Sequence, residues 1–152
     1  MSKIYIDADG CPVKDEVYRV AGRYRWHVLV VANAWMRVPV SPLIERVVVD
    51  EGLDRADDWI AERSSSGDVV VTADIPLAAR CIKTGARVIS PDGRTFDESI
   101  GEVLATRNLM TALREAGVVQ GGGRPFSKQD RSRFLNALDA AIQAIRRRSA
   151  ES

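Results

Sequence analysis

Ile4-Tyr5-Ile6-Asp7-Ala8-Asp9-Gly10-Cys11-Pro12 is an apolar run that stops on an aspartate, breaks at a glycine and meets a proline. That order reads as a buried strand, a tight turn and the first turn of a helix. Four further β-branched runs follow: Val28 to Val31, Val47 to Val49, Val69 to Val71 and Val88-Ile89. Most are continuously apolar, as in strands covered on both faces. Helical patterns lie between most of them, over Pro12 to Arg25, Leu53 to Arg63 and Pro76 to Thr84, with another expected around Phe96 to Ala116. The alternation predicts a three-layer α/β/α domain with a mainly parallel sheet.

One connection breaks the rule. Between Val31 and Arg46, Pro39 and Pro42 forbid a long helix, so Asn33-Ala34-Trp35-Met36-Arg37 is expected as loop. Residues 121–126 read as a glycine-rich linker, and Ser127 with Asp130 as a capping box opening a last basic amphipathic helix over 127–148. Its apolar stripe is Phe134, Leu135, Leu138, Ala141, Ile142 and Ile145. The whole chain, 1–152, reads as one domain.

The composition agrees, with 45% apolar and 28% charged residues over 152 positions. Two cysteines exclude a disulfide scaffold, and no apolar stretch is long enough to span a bilayer. Met1-Ser2-Lys3 runs into the first strand without an apolar leader, so a cytoplasmic location is expected. The net charge of +1 conceals an asymmetry: residues 1–123 carry 15 basic and 18 acidic side chains, residues 124–152 carry 7 and 3. This balance argues against tight nucleic-acid binding driven by charge alone.

The carboxylates carry the chemical signal. Asp7 and Asp9 follow the first strand and Asp74 ends Thr72-Ala73-Asp74 after the fourth, the edge where open α/β sheets bind ligands. On the helix before that strand, Asp57 falls on the side of Ile60 while Asp58 projects away. Clustered carboxylates repel unless a cation sits among them, and oxygen-only ligands suit Mg2+ or Mn2+. The blander account makes Asp9 and Asp74 helix caps and pairs Asp57 with an arginine. Other chemistries have less behind them. His27, the one histidine, lacks a serine and acid for a triad; Cys11 and Cys81 read as packed thiols; and Gly121 to Gly123 lack the Lys-Ser/Thr of a phosphate loop.

Several segments together resemble the YaiI/YqxD family of uncharacterised bacterial proteins. They are Ile6 to Lys14, Val31-Ala32-Asn33, Ala56 to Ile60, Val70 to Ala78, and Pro125-Phe126-Ser127 with Asp130-Arg131 and Arg133-Phe134-Leu135. More distantly, the succession of strand-Asp, helix-Asp and Thr-x-Asp is similar to PIN-like nucleases. That second resemblance implies a five-stranded sheet of order 3-2-1-4-5. It also implies divalent metal on Asp7, a helix acid (Asp57 or Asp58) and Asp74, with Asp92 the nearest match for a further acid.

The leading expectation is therefore a Mg2+- or Mn2+-dependent nuclease acting on RNA or DNA. Asp7, Asp9, Asp57 and Asp74 would do the chemistry, Asp58 would join them as a candidate ligand, and Lys14, Asn33, Arg37 and Arg80 would contact substrate. Two alternatives stand beside it. Asp7-Ala8-Asp9-Gly10 also fits the aspartyl-nucleophile motif of haloacid-dehalogenase-like phosphatases, with Asp7 attacking phosphorus and Asp9 protonating the leaving group. A PIN-like module without activity, binding RNA or a protein, fits the acidic main body.

Overall fold

The computed structural model describes residues 2–50, 55–97 and 125–151. Its strands are β1 (Lys3–Asp7), β2 (His27–Ala32), β3 (Ile44–Val48), β4 (Val69–Val71), β5 (Arg87–Ile89) and β6 (Thr95–Phe96). Its helices are α1 (Lys14–Tyr24), α2 (Arg55–Arg63), α3 (Ile75–Lys83) and α4 (Lys128–Glu151). The six strands form one sheet in the order β3-β2-β1-β4-β5-β6, parallel except for the β5–β6 pair. The parallel part has the order 3-2-1-4-5 expected.

β-branched residues build β1, β2, β4 and β5 because both their faces are covered; the edge strand β3, expected from Val47 to Val49 as a buried run, is instead largely exposed, with Val48 at 48%. Ile4, Ile6, Val28, Val30, Val69 and Val71 point to the layer of α1 and α4. Tyr5, Leu29, Val31, Val70 and Val88 point to α2 and α3. The connection leaving β1 runs to the α1 face and the one leaving its neighbour β4 runs to the α3 face, so strand order reverses at their carboxyl ends, which is where open α/β sheets form a binding crevice.

Phe134, Leu138 and Ile142 of α4 are fully buried, each worth about 1.5–3 kcal/mol on removal from water. The capping box forms as expected: Ser127 N donates to Asp130 Oδ2 at 2.9 Å and Asp130 N donates to Ser127 Oγ at 3.2 Å. The arginine of Asp130-Arg131 then ties α4 to α1. Arg131 NH1 donates to both oxygens of the buried Glu16, at 3.1 and 3.3 Å, and to Pro12 O at 2.9 Å.

One expected element is corrected. Phe96 does not open a helix but pairs with Val88 in the antiparallel β6. The reason is local: Gly93, at φ 92°, closes a turn in which Ser90 Oγ accepts from Arg94 N, and the chain doubles back before a helix can start. Residues 98–116 of that expected helix, and 121–124 of the expected linker, lie outside the described residues, as do Leu53 and Asp54. The 33–43 connection is non-helical, as its prolines required. Among the described residues no helix is long and apolar enough to cross a membrane.

Candidate functional site

Asp7 ends β1, half-buried, and Thr72 stands beside it just past β4. The register makes them neighbours, since Ile6 pairs with Val71. Thr72 is 1% exposed; its Oγ1 donates to Asp7 Oδ2 at 2.7 Å and accepts from Asp74 N at 3.0 Å. A short relay thus joins the two carboxylate-bearing strand ends. Burial raises the pKa of Asp7, the hydrogen bond from Thr72 draws it back, and the charges of Asp74 and Asp9 raise it again.

Asp74 caps α3, its Oδ1 accepting from Leu77 N at 2.9 Å, so the capping account is correct for this residue. It is not correct for Asp9. The residue before α1 is Val13, without a side-chain cap, and Asp9 Oδ2 instead accepts from Asn33 N at 3.4 Å, linking the loops that follow β1 and β2. Asn33 Oδ1 is buried without a hydrogen-bond partner, a costly arrangement unless a donor from outside the chain meets it.

The α2 acids separate as their helical positions predict. Asp58 turns outward to Arg80, NH1 to Oδ1 2.7 Å, with both side chains nearly half exposed. Arg80, expected as a substrate contact, is paired with this acid. Asp57 is half-buried, and its charge reaches the Cys81 thiol, as does that of Asp7. Cys81 and Cys11 are buried thiols whose pKa values burial raises, as expected of packed thiols. His27 opens β2, away from this edge.

Lys14 Nζ donates to Cys11 O at 2.8 Å and Ala8 O at 3.5 Å, closing the β1–α1 loop that carries Asp9. Arg37 is exposed on the loop after β2. Asp92 sits in the β5–β6 turn, accepting from Ser90 Oγ and pairing with Arg94 Nε at 3.8 Å. Among the described residues no three His, Cys, Asp or Glu side chains stand together as a ready-made metal cage. At this edge Thr72 links Asp7 to the backbone of Asp74, and the charges of Asp74 and Asp9 act on Asp7, without the five expected ligands forming one cluster among the described residues.

Thr72 is the residue that the sequence reading left out of the site. Its signal is a hydroxyl two positions before an acid at a strand end, where it can accept the acid's N–H.

The profile described as "Uncharacterized BCR, YaiI/YqxD family" matches residues 5–144. The chain belongs to this family. Among its relatives, a UPF0178 protein of Rhodopseudomonas palustris (strain ATCC BAA-98 / CGA009) is 60% identical over 151 residues, 99% of this chain and 96% of the relative. One of Bradyrhizobium diazoefficiens is 61% identical over 148 residues, covering 97% and 89%. One of Bradyrhizobium sp. (strain ORS 278) is 55% identical over 148 residues, covering 97% and 90%. No solved structure matches the chain.

Proposed function

We propose that this protein hydrolyses phosphodiester bonds of nucleic acid at the crevice between β1 and β4, with Asp7 and Asp74 as the carboxylates for Mg2+ or Mn2+ and Asp9 beside them. The observation that carries the reading is the electrostatics of Asp7: a carboxylate held in place by Thr72 while burial, Asp74 and Asp9 all oppose its charge. A cation bound among these acids would favour the charged form of Asp7. Mg2+ commonly takes only one or two carboxylates, keeps several waters and completes its shell with substrate phosphate, so a cage of three acids is not required. When bound, the ion would supply activation of water and neutralisation of the phosphate charge.

The chain's own residues do the positioning. Thr72 fixes one oxygen of Asp7, and Leu77 N fixes one oxygen of Asp74, so neither carboxylate needs to reorganise when a ligand arrives. Asp57, half-buried on α2 and close enough for its charge to act on the buried Cys81, is the helix acid of the set in this reading, with Asp58 turned outward. Lys14 and the exposed Arg37 supply positive charge around the same edge for phosphate. Asn33 offers the buried acceptor that a donor group on the ligand, or a water it retains, would satisfy.

The test is hydrolysis of single-stranded and structured RNA and of DNA with Mn2+, by the parent and by Asp7→Asn. Activity lost in the variant supports the reading; equal activity in both overturns it.

A further inference from the structure

We infer that Trp35, with Arg46 and Arg37 beside it, is a stacking platform for an unpaired base of single-stranded nucleic acid. The chain has nine aromatic residues, and Trp35, at 65%, is the one that stands exposed. The others are buried or half-buried. This indole is the exception in a fold that covers every other ring, and its neighbour is a guanidinium and not the core.

Its surroundings say what would cover it. The Arg46 guanidinium lies 4.7 Å from the ring centroid, and Arg46 NH1 donates to Met36 O at 3.4 Å, holding ring and loop together. One face of the indole thus carries a positive charge, and Arg37, two residues along, adds a second exposed one. A flat aromatic surface with a guanidinium on it and a second arginine close in the chain is a combination suited to the bases and backbone of single strands. A duplex keeps its bases stacked inside and cannot use it.

The platform also sits on the right part of the molecule. Its loop leaves β2 at the carboxylate edge, where Asn33 N donates to Asp9. Arg46 pairs in register with Val30, and Val30 with Ile6, so Arg46 is two strand spacings, about 10 Å, from the residue before Asp7. In this reading a single strand with a phosphate at Asp7 would run on along the β2 loop to Trp35. This names the substrate of the proposed hydrolytic centre and rests on that reading for the chemistry, though not for the binding.

Binding of fluorescein-labelled oligouridylate and oligothymidylate, followed by anisotropy in EDTA, tests it without hydrolysis. The expected result is that Trp35→Ala weakens binding about tenfold or more, that Trp35→Phe retains most of it, and that a duplex of the same length binds more weakly than the single strand. Unchanged affinity in Trp35→Ala, or equal affinity for duplex, overturns the platform. So does a Trp35-dependent dimer in sedimentation without oligonucleotide binding, which would assign the exposed ring to a second copy. Trp35-dependent binding by a parent that hydrolyses nothing upholds the platform and removes the hydrolytic reading. Hydrolysis with the same KM in Trp35→Ala does the reverse.

Discussion

Thr72 Oγ1 donates to Asp7 Oδ2 at 2.7 Å, joining the ends of two adjacent parallel strands that lie 65 residues apart in sequence. The bond holds a carboxylate where burial and two neighbouring acids disfavour its charge. Sites that bind charged ligands commonly sacrifice stability in this way.

Asp7→Asn is therefore expected to stabilise the metal-free protein while abolishing hydrolysis. The amide keeps an acceptor for Thr72 and loses the charge. A gain of about 1 kcal/mol would raise Tm by roughly 2–4 °C in a chain of this size. Calorimetry in EDTA checks it, and a lower Tm would show that the Asp7 charge stabilises the fold.

The pH dependence has a definite sign. The folded pKa of Asp7 lies above its ordinary value of 3.8, so the native state holds the proton more tightly than the unfolded chain. Its contribution to stability is fully present below 3.8 and is lost as pH rises through the folded pKa. Parent and Asp7→Asn, unfolded in urea across that window, should diverge as pH rises, with the parent losing more stability. Added Mn2+ should shrink the divergence, because a bound cation favours the charged form.

Asp74 has a structural and a proposed chemical duty, and two substitutions part them. Asp74→Asn keeps a cap acceptor for Leu77 N and should change stability little, whereas Asp74→Ala should lose about 1 kcal/mol. Both should lose activity if the carboxylate charge is needed. Urea unfolding beside the hydrolysis assay reads the two effects separately.

Arg131 is the clamp between α4 and α1, its guanidinium on both oxygens of Glu16, a residue 8% exposed. Arg131→Ala leaves that buried carboxylate unpaired and should cost about 2 kcal/mol. Adding Glu16→Gln should recover part of the loss, because the second change removes the stranded charge. A double-mutant cycle that closes without coupling would count against the clamp.

Gly93→Ala should loosen α4. A Cβ there would stand 2.6 Å from Arg133 Cβ and 2.7 Å from Arg133 C, on a residue at φ 92°. The cost is on the order of 3 kcal/mol. Hydrogen exchange should show α4 amides losing protection more than those of β1 and β2.

Local pattern determined a great deal. Continuous β-branched runs mark the strands, Pro39 and Pro42 exclude a helix after β2, and Ser127 with Asp130 opens α4. Asp7, Asp9 and Asp74 had to fall at strand ends because apolar runs stop there. These features depend on a few neighbouring residues, whose backbone preferences and hydrogen bonds act over one or two turns.

What only the tertiary structure decided is which distant groups meet. The sequence order puts Arg80 within the first turns after an acidic strand end, a place for a phosphate contact, yet the packing of α2 on α3 gives it Asp58. Asp9 looks like a cap until the β2 loop brings Asn33 N to it. Thr72 reaches Asp7 because β4 lies directly beside β1. Trp35 is left in water because its neighbour on the ring is a guanidinium of the edge strand β3 and not the core. Each outcome follows from strand order and layer packing, long-range choices that no short window of residues encodes.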